Sequence, residues 1–229
     1  MTDGRARVVA VVQARMSSTR LPGKVLARLG EDTVLELLLR RLARSSELDE
    51  IVVATSTEPS DDPVEREAER LSVRVIRGSL TDVLGRYLKA SAAVNADAIV
   101  RITADCPLMD PEVVDHVVRV WRESRADYVT NTLEPRSYPD GLDVEVVTAA
   151  ALSRAGELAR EPFDREHVTP YLRYHPETFS VHGVHIDPPH PEVRITLDTP
   201  ADLEALIRLV GQVGPDATME DVLKAHGLT

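Results

Sequence analysis

Short apolar runs alternate with amphipathic stretches along the first half of the chain. Val8-Val9-Ala10-Val11-Val12 has no polar member, which predicts a strand over 7–13 buried on both faces of a parallel sheet. Leu35, Leu38, Leu39 and Leu42 share one stripe and predict a helix over 33–44. Ile51-Val52-Val53-Ala54 reads as a second strand and Val73-Arg74-Val75-Ile76 as a third. Between them a helix is expected over 61–71, capped by Asp61 or Asp62 with Pro63 in its first turn. A helix over 81–94 and a fourth strand over 98–102 follow. Strict alternation of this kind predicts an α/β fold, a doubly wound parallel sheet with right-handed crossovers.

The alternation then breaks. A helix is expected over 112–125, with Asp110 as cap and Pro111 at its first position. Tyr128-Val129-Thr130 reads as a strand, Ser137-Tyr138-Pro139-Asp140-Gly141 as a turn, and Leu142-Asp143-Val144-Glu145-Val146-Val147 as a strand with one polar face. Helices over 149–160 and 165–175 and an alternating strand over 179–186 come next. After the rigid linker 187–191, a last strand Arg194-Ile195-Thr196-Leu197 and helices over 201–213 and 219–226 end the chain. The change near residue 126 points to an added mixed-sheet lobe on a mostly parallel sheet. One domain is expected, with a core of 1–125 and 191–229 and a lobe of about 126–190.

The loop after the first strand, Ala14-Arg15-Met16-Ser17-Ser18-Thr19-Arg20-Leu21-Pro22-Gly23-Lys24, gathers two arginines, a lysine, three hydroxyls and a glycine. A polyphosphate-binding loop needs that mixture: N–H and hydroxyl donors, bidentate guanidinium groups and a compact ammonium. A solvated basic turn would carry the same charge. The position favours phosphate, because open α/β sheets bind ligands at the carboxyl ends of their strands. Asp105 follows the fourth strand and Asp198 the last, on the same edge of the sheet. Mg²⁺ takes one or two carboxylates plus waters and substrate phosphates, so both are candidate metal ligands. The competing readings are a turn residue for Asp105, although Asp110 is the better cap, and a helix start for Asp198 within Asp198-Thr199-Pro200-Ala201-Asp202. His167 lies in a polar helical run and reads as either a hydrogen-bonded helix residue or a substrate contact. The seven histidines show no zinc spacing, and Cys106 reads as a small buried filler. A Walker loop and a dinucleotide fingerprint are both absent.

Composition narrows the partners. With 38 acidic against 27 basic residues and a net charge of −11, the chain is a poor general binder of nucleic acid or anionic membrane. Aromatic residues at 3% are too few for base-stacking platforms. The basic loop is therefore a local site in an acidic protein. A lone cysteine, no signal-like amino terminus and no membrane-length apolar run lead us to expect a soluble cytoplasmic protein.

The Ala14-to-Lys24 loop is similar to the signature loop of the cytidylyltransferases that activate sugar acids such as Kdo and sialic acid, and more closely to the SpsF-like branch of spore-coat polysaccharide biosynthesis. Supporting segments are Arg77-Gly78-Ser79-Leu80-Thr81-Asp82-Val83-Leu84-Gly85-Arg86-Tyr87, Arg101-Ile102-Thr103-Ala104-Asp105-Cys106-Pro107-Leu108 and Tyr138-Pro139-Asp140-Gly141-Leu142-Asp143-Val144-Glu145. Arg165-Glu166-His167-Val168-Thr169-Pro170-Tyr171 and Leu197-Asp198-Thr199-Pro200 complete the set, which spans almost the whole chain in the expected order. The resemblance implies a Rossmann-like nucleotide-diphospho-sugar transferase fold, usually dimeric.

By position the resemblance implies that Arg15, Lys24 and Asp105 form the catalytic set. Arg15 and Lys24 would bind the CTP triphosphate, helped by Ala14, Ser17, Ser18 and Arg20. Asp105 would hold Mg²⁺, with Asp198 joining it when a second ion binds. Thr55, Ser79 and Asp82 would enclose the nucleoside. Tyr138, Asp140, Asp143, Glu145, Arg165 and His167 would face the acceptor, in the region where this chain departs from the Kdo and sialate enzymes. The implied activity is Mg²⁺-dependent transfer of CMP from CTP to a sugar acid, sugar phosphate or phosphonate, with release of pyrophosphate, by a homodimer. Two alternatives remain at this level. A glycosyltransferase of the same fold would not need Arg15, Arg20 and Lys24 together. A non-catalytic nucleotide-binding relative would have lost loop or metal residues.

Overall fold

The computed structural model describes residues 5–228; positions 1–4 and 229 of the expected single domain lie outside the described residues. The first apolar run forms β1 (Val8–Gln13), with Val8 to Val12 wholly inaccessible. After the basic loop, a small antiparallel ribbon of β2 (Arg28–Leu29) and β3 (Asp32–Thr33) leads into α1 (Val34–Leu42). Then come β4 (Glu50–Ser56), α2 (Asp62–Arg70), β5 (Arg74–Gly78), α3 (Val83–Val94), β6 (Ala98–Thr103) and α4 (Pro111–Ser124). The second half carries β7 (Tyr128–Thr130), β8 (Glu145–Thr148), α5 (Ala149–Leu158), α6 (Pro162–His167), α7 (Pro170–Tyr174), β9 (Val181–Gly183), α8 (Pro200–Val213) and α9 (Met219–Ala225).

Seven strands form one sheet in the order β5-β4-β1-β6-β8-β7-β9. β5, β4, β1 and β6 are mutually parallel; β8 runs antiparallel to both its neighbours, and β9 is parallel to β7. Successive strand residues point to opposite faces, and each face has its own cover. Val8, Ala10, Val12, Val100 and Ile102 pack with α1, α2, α4, α8 and α9. Val9, Val11, Val52 and Ile99 pack with α3, α5 and α7. The sheet is thus mostly parallel and covered by helices on both faces, as expected of the doubly wound class. Its mixed part, β8, β7 and β9, continues the same hydrogen-bonded sheet.

Four expected elements differ, one of them simply shorter: the strand over 179–186 is confined to Val181–Gly183. The strand over 142–147 begins only at Glu145, because the buried Asn131 side chain takes up the preceding backbone: its Nδ2 donates to the Leu142 carbonyl at 2.7 Å and its Oδ1 accepts from the Val144 N–H at 2.8 Å. The helix over 165–175 is split into α6 and α7 by Val168 (φ 74°, ψ −57°), where the Thr169 N–H donates to the His167 carbonyl at 2.9 Å. That is a γ-turn, a strained geometry for a β-branched residue, and Pro170 restarts the helix. The last strand, Arg194 to Leu197, does not join the sheet: Arg194 makes an isolated bridge with Asp140, and the Leu197 N–H donates to the Asp105 carbonyl at 2.8 Å. This segment crosses the strand ends and finds its backbone partners in loops.

Candidate active site

The basic loop is anchored by backbone bonds before any ligand is considered. The Ala14 N–H donates to the Ala54 carbonyl at 3.1 Å, carrying the strand pairing one residue further. The Met16 N–H donates at 2.7 Å to Asp61, which is wholly buried and also accepts the Ser56 hydroxyl. The Gly23 N–H closes the loop on the Met16 carbonyl at 2.9 Å. Gly23 itself has φ 74°, and a Cβ there would sit 3.2 Å from Met16 Cε. No hydrogen bond among the described residues uses the N–H groups of Arg15, Ser17, Thr19 and Arg20. They remain available as donors beside the cationic side chains, the arrangement that makes anion-binding nests.

The loop walls a cleft of ≈ 370 Å³ lined by Gln13, Arg15, Ser17, Ser18, Thr19, Arg20, Lys24, Val25, Thr103, Ala104, Asp105, His167 and Asp198. At its floor the Lys24 ammonium donates to Asp105 Oδ2 at 2.7 Å, to Asp198 Oδ1 at 3.0 Å and to the Leu197 carbonyl at 2.7 Å. Burial alone would raise the Asp105 carboxyl; the Lys24 charge and its hydrogen bond outweigh it and hold Asp105 below the ordinary aspartate range. Asp198 carries two further cations, Arg20 at 2.9 Å and Arg194 at 2.8 Å.

Neither aspartate is consumed by capping. Asp110 caps α4 through the Glu112 N–H, while Thr199 caps α8 in a reciprocal capping box with Asp202. The helix-start roles thus fall to other residues; Asp105 sits in the turn that follows β6 with its carboxylate on Lys24, and both carboxylates line the cleft. Among the described residues no group of three or more His, Cys, Asp or Glu is placed to hold a metal ion. Two carboxylates beside a loop rich in cations and N–H donors would suit Mg²⁺, whose remaining positions go to phosphate oxygens and water, and do not suit an all-protein cage.

Of the residues expected around the nucleotide and acceptor, Arg15, Ser17, Ser18, Arg20, Lys24, Asp105, Asp198 and His167 line this cleft. The others lie elsewhere. Ala14 and Thr55 are buried and do not line the cleft. Asp82 caps α3 and pairs with Arg165, with Nη2 to Oδ2 at 2.6 Å, so a residue expected at the nucleoside and one expected at the acceptor engage each other. Ser79 is exposed and accepts the Asp82 N–H at 3.1 Å. Asp140 and Asp143 pair with Arg136, and Asp140 also with Arg194. Tyr138 is a core residue on the α4 side of the sheet, its hydroxyl pushed up to about 12 by burial. Glu145 is enclosed by Arg101 at 2.6 Å, the Tyr128 hydroxyl at 2.7 Å, the Thr169 hydroxyl at 2.9 Å and Arg173 at 3.5 Å. Their positions follow from pairing: each charged group here meets a partner that no local pattern announces.

Sequence reasoning missed Gln13, Thr103 and Arg194, and read Asp61 as a helix cap although its side chain makes no cap bond and anchors the loop instead. Gln13 had a signal, a polar residue closing an apolar strand directly before the loop. Arg194 had none, because its role depends on a chain crossing.

The cytidylyltransferase family profile matches residues 9–222. The chain is 36% identical over 227 residues to the spore coat polysaccharide biosynthesis protein SpsF of Bacillus subtilis, covering 94% of this chain and 92% of that protein. Its structure is similar to a solved cytidylyltransferase from Leptospira borgpetersenii, with TM-score 0.92 and 34% identity over 97% of this chain and 94% of the other. It also shares its fold with a CMP-Kdo synthetase solved in complex with CTP, at TM-score 0.72 and 18% identity over 90% and 99% of the two chains. With loop, strand-end carboxylates and fold in agreement with these matches, the chain belongs to the cytidylyltransferases, a nucleotidyltransferase of the SpsF-like branch.

Proposed function

We propose that the cleft binds CTP and transfers CMP to an anionic acceptor, a sugar acid, sugar phosphate or phosphonate, with release of pyrophosphate. The observation that carries this reading is the junction of Lys24 with Asp105 and Asp198 at the floor of a cleft rimmed by Arg15, Arg20 and unpaired loop N–H groups. An acceptor oxygen attacks the α-phosphorus in line as the pyrophosphate oxygen leaves. Arg15, Arg20 and Lys24 neutralise and align the phosphate oxygens, so no protein nucleophile is needed. Asp105 and Asp198 would hold Mg²⁺, which when bound supplies further charge neutralisation on those oxygens. The family supports cytosine as the base, and the likeness to SpsF supports a role in polysaccharide biosynthesis. For an anionic acceptor the support is the pair Arg101 and Arg173, which share the single carboxylate Glu145 outside the cleft lining.

We read the chain as one nucleotidyltransferase domain that acts as a homodimer in the cytoplasm, apart from nucleic acid and membrane. No helix among the described residues is long and apolar enough to cross a membrane. Leu158, Phe163 and Tyr174, three of the large apolar side chains that are exposed, lie on the consecutive helices α5, α6 and α7 and suit a self-contact. The test of the reaction is pyrophosphate release with each of the four nucleoside triphosphates against a panel of sugar acids, sugar phosphates and phosphonates. Release is expected with CTP and one acceptor class; no release with any pair overturns the reading.

A further inference from the structure

The point where a divalent cation would sit is held by the protein's own cation. Lys24 Nζ has three acceptors, Asp105 Oδ2, the Leu197 carbonyl and Asp198 Oδ1, at 2.7, 2.7 and 3.0 Å. These satisfy all three donors of an ammonium group. The Lys24 side chain is only 11% exposed, so the contact is shielded from solvent competition. A free divalent cation approaching Asp105 and Asp198 meets carboxylates already compensated by Lys24, Arg20 and Arg194.

A polyphosphate changes that balance. The free N–H groups and the arginines that would receive it line the same cleft as Lys24. Its oxygens offer Lys24 acceptors of higher charge than a carboxylate, and the flexible lysine stem allows the ammonium to move to them. The two aspartates are asymmetric once it moves. Lys24 is the only ion-pair partner of Asp105 among the described residues, whereas Asp198 keeps Arg20 and Arg194. Exchange therefore releases the negative charge of Asp105 above all.

We propose that Lys24 makes divalent-cation binding conditional on nucleotide: its ammonium closes Asp105 and Asp198 to a free cation and leaves them for the phosphates when the triphosphate enters. This rests on the cleft being the triphosphate site, and it adds an order of assembly that the transfer reaction does not require.

The test uses Mn²⁺ as probe, followed by water-proton relaxation, which separates Mn²⁺ on the protein from Mn²⁺ held by nucleotide alone. Without nucleotide, the wild-type chain is expected to leave Mn²⁺ free, and Lys24→Met to bind it at least ~10-fold more tightly, since removing a fixed positive charge from a partly buried carboxylate pair is worth at least ~1.4 kcal/mol. Lys24→Arg, which keeps the charge, should remain closed. Circular dichroism melts of both variants check that they fold. Addition of CTP should recruit Mn²⁺ to the wild-type protein. Equal Mn²⁺ binding by wild type with and without triphosphate, or binding by Lys24→Met no tighter than wild type, overturns the proposal. Inorganic triphosphate is the control for the underlying reading. Recruitment by it but not by CTP leaves the exchange standing and removes the nucleotide assignment; recruitment by neither overturns the exchange.

Discussion

Asp105 is ionised against the cost of its own burial because one ammonium stands 2.7 Å away. Replacing it should therefore remove function and leave the fold. Asp105→Asn is expected to abolish pyrophosphate release while retaining the wild-type circular dichroism melt, and activity surviving this change would exclude Asp105 from the cation site. Arg194 acts one step further out. Its guanidinium reaches Asp198 at 2.8 Å, Asp202 at 2.7 Å and Asp140 at 3.2 Å, so it aims Asp198 without lining the cleft itself. Loss of a charge-assisted bond of ~1.5–3 kcal/mol predicts that Arg194→Met raises the Mg²⁺ needed for half-maximal release about 10-fold. A Mg²⁺ titration at saturating CTP checks this, and an unchanged midpoint would make Arg194 a purely structural residue.

At the scale of elements, the helices flanking the cleft are tied by residues that local motifs assign to ligands. Asp82 joins the start of α3 to Arg165 on α6. Burial raises its carboxyl, but Arg165 and the Gly85 N–H outweigh that and leave it below the ordinary value of 3.8. A lowered folded value means that the stabilisation is complete above that pH and is lost as pH falls through the folded value. Asp82→Ala should cost about 1 kcal/mol for the cap alone, and the gap between variant and wild type in urea unfolding should narrow below pH 3.8. A gap of constant size across acid pH would mean that the pair contributes nothing.

The crossing over the strand ends is equally specific. Gly141 has φ 110°, and a Cβ there would lie 3.0 Å from the Ile195 backbone carbon. Gly141→Ala is expected to destabilise by ~1–3 kcal/mol, the range of such backbone strain. Because Ile195 lies on the segment that carries Asp198, the variant should also lower kcat. Thermal melts and steady-state rates read the two effects separately, and a wild-type melt would remove the packing argument.

For the whole molecule, the seven-stranded sheet brings the carboxyl ends of β1, β4 and β6 to one edge, and the site is assembled there from loops far apart in sequence. The exposed Phe163 and Tyr174 lie away from the cleft lining, on α6 and α7. Joint replacement by serine should convert a dimer to monomers in sedimentation velocity, and the melt should lose its dependence on protein concentration. A wild-type chain that sediments as a monomer at all concentrations would remove the self-contact.

What the sequence by itself determined is what a short window can encode. A period of two or of 3.6 is read within a few residues, so β1, α1 and β4 were legible from apolar spacing, the start of α4 from Asp110 and Pro111, and the basic loop from its charge at a strand end. Tertiary structure alone decided which charged groups are free. Lys24 meets Asp105 across 81 residues and Asp198 across 174, separations at which no local pattern operates. The same holds for Glu145, which alternation placed on a polar face and which packing enclosed with Arg101, Tyr128 and Arg173. Periodicity states that a face is polar; only the neighbours brought by the fold decide whether that polarity is spent on another side chain or left for a ligand.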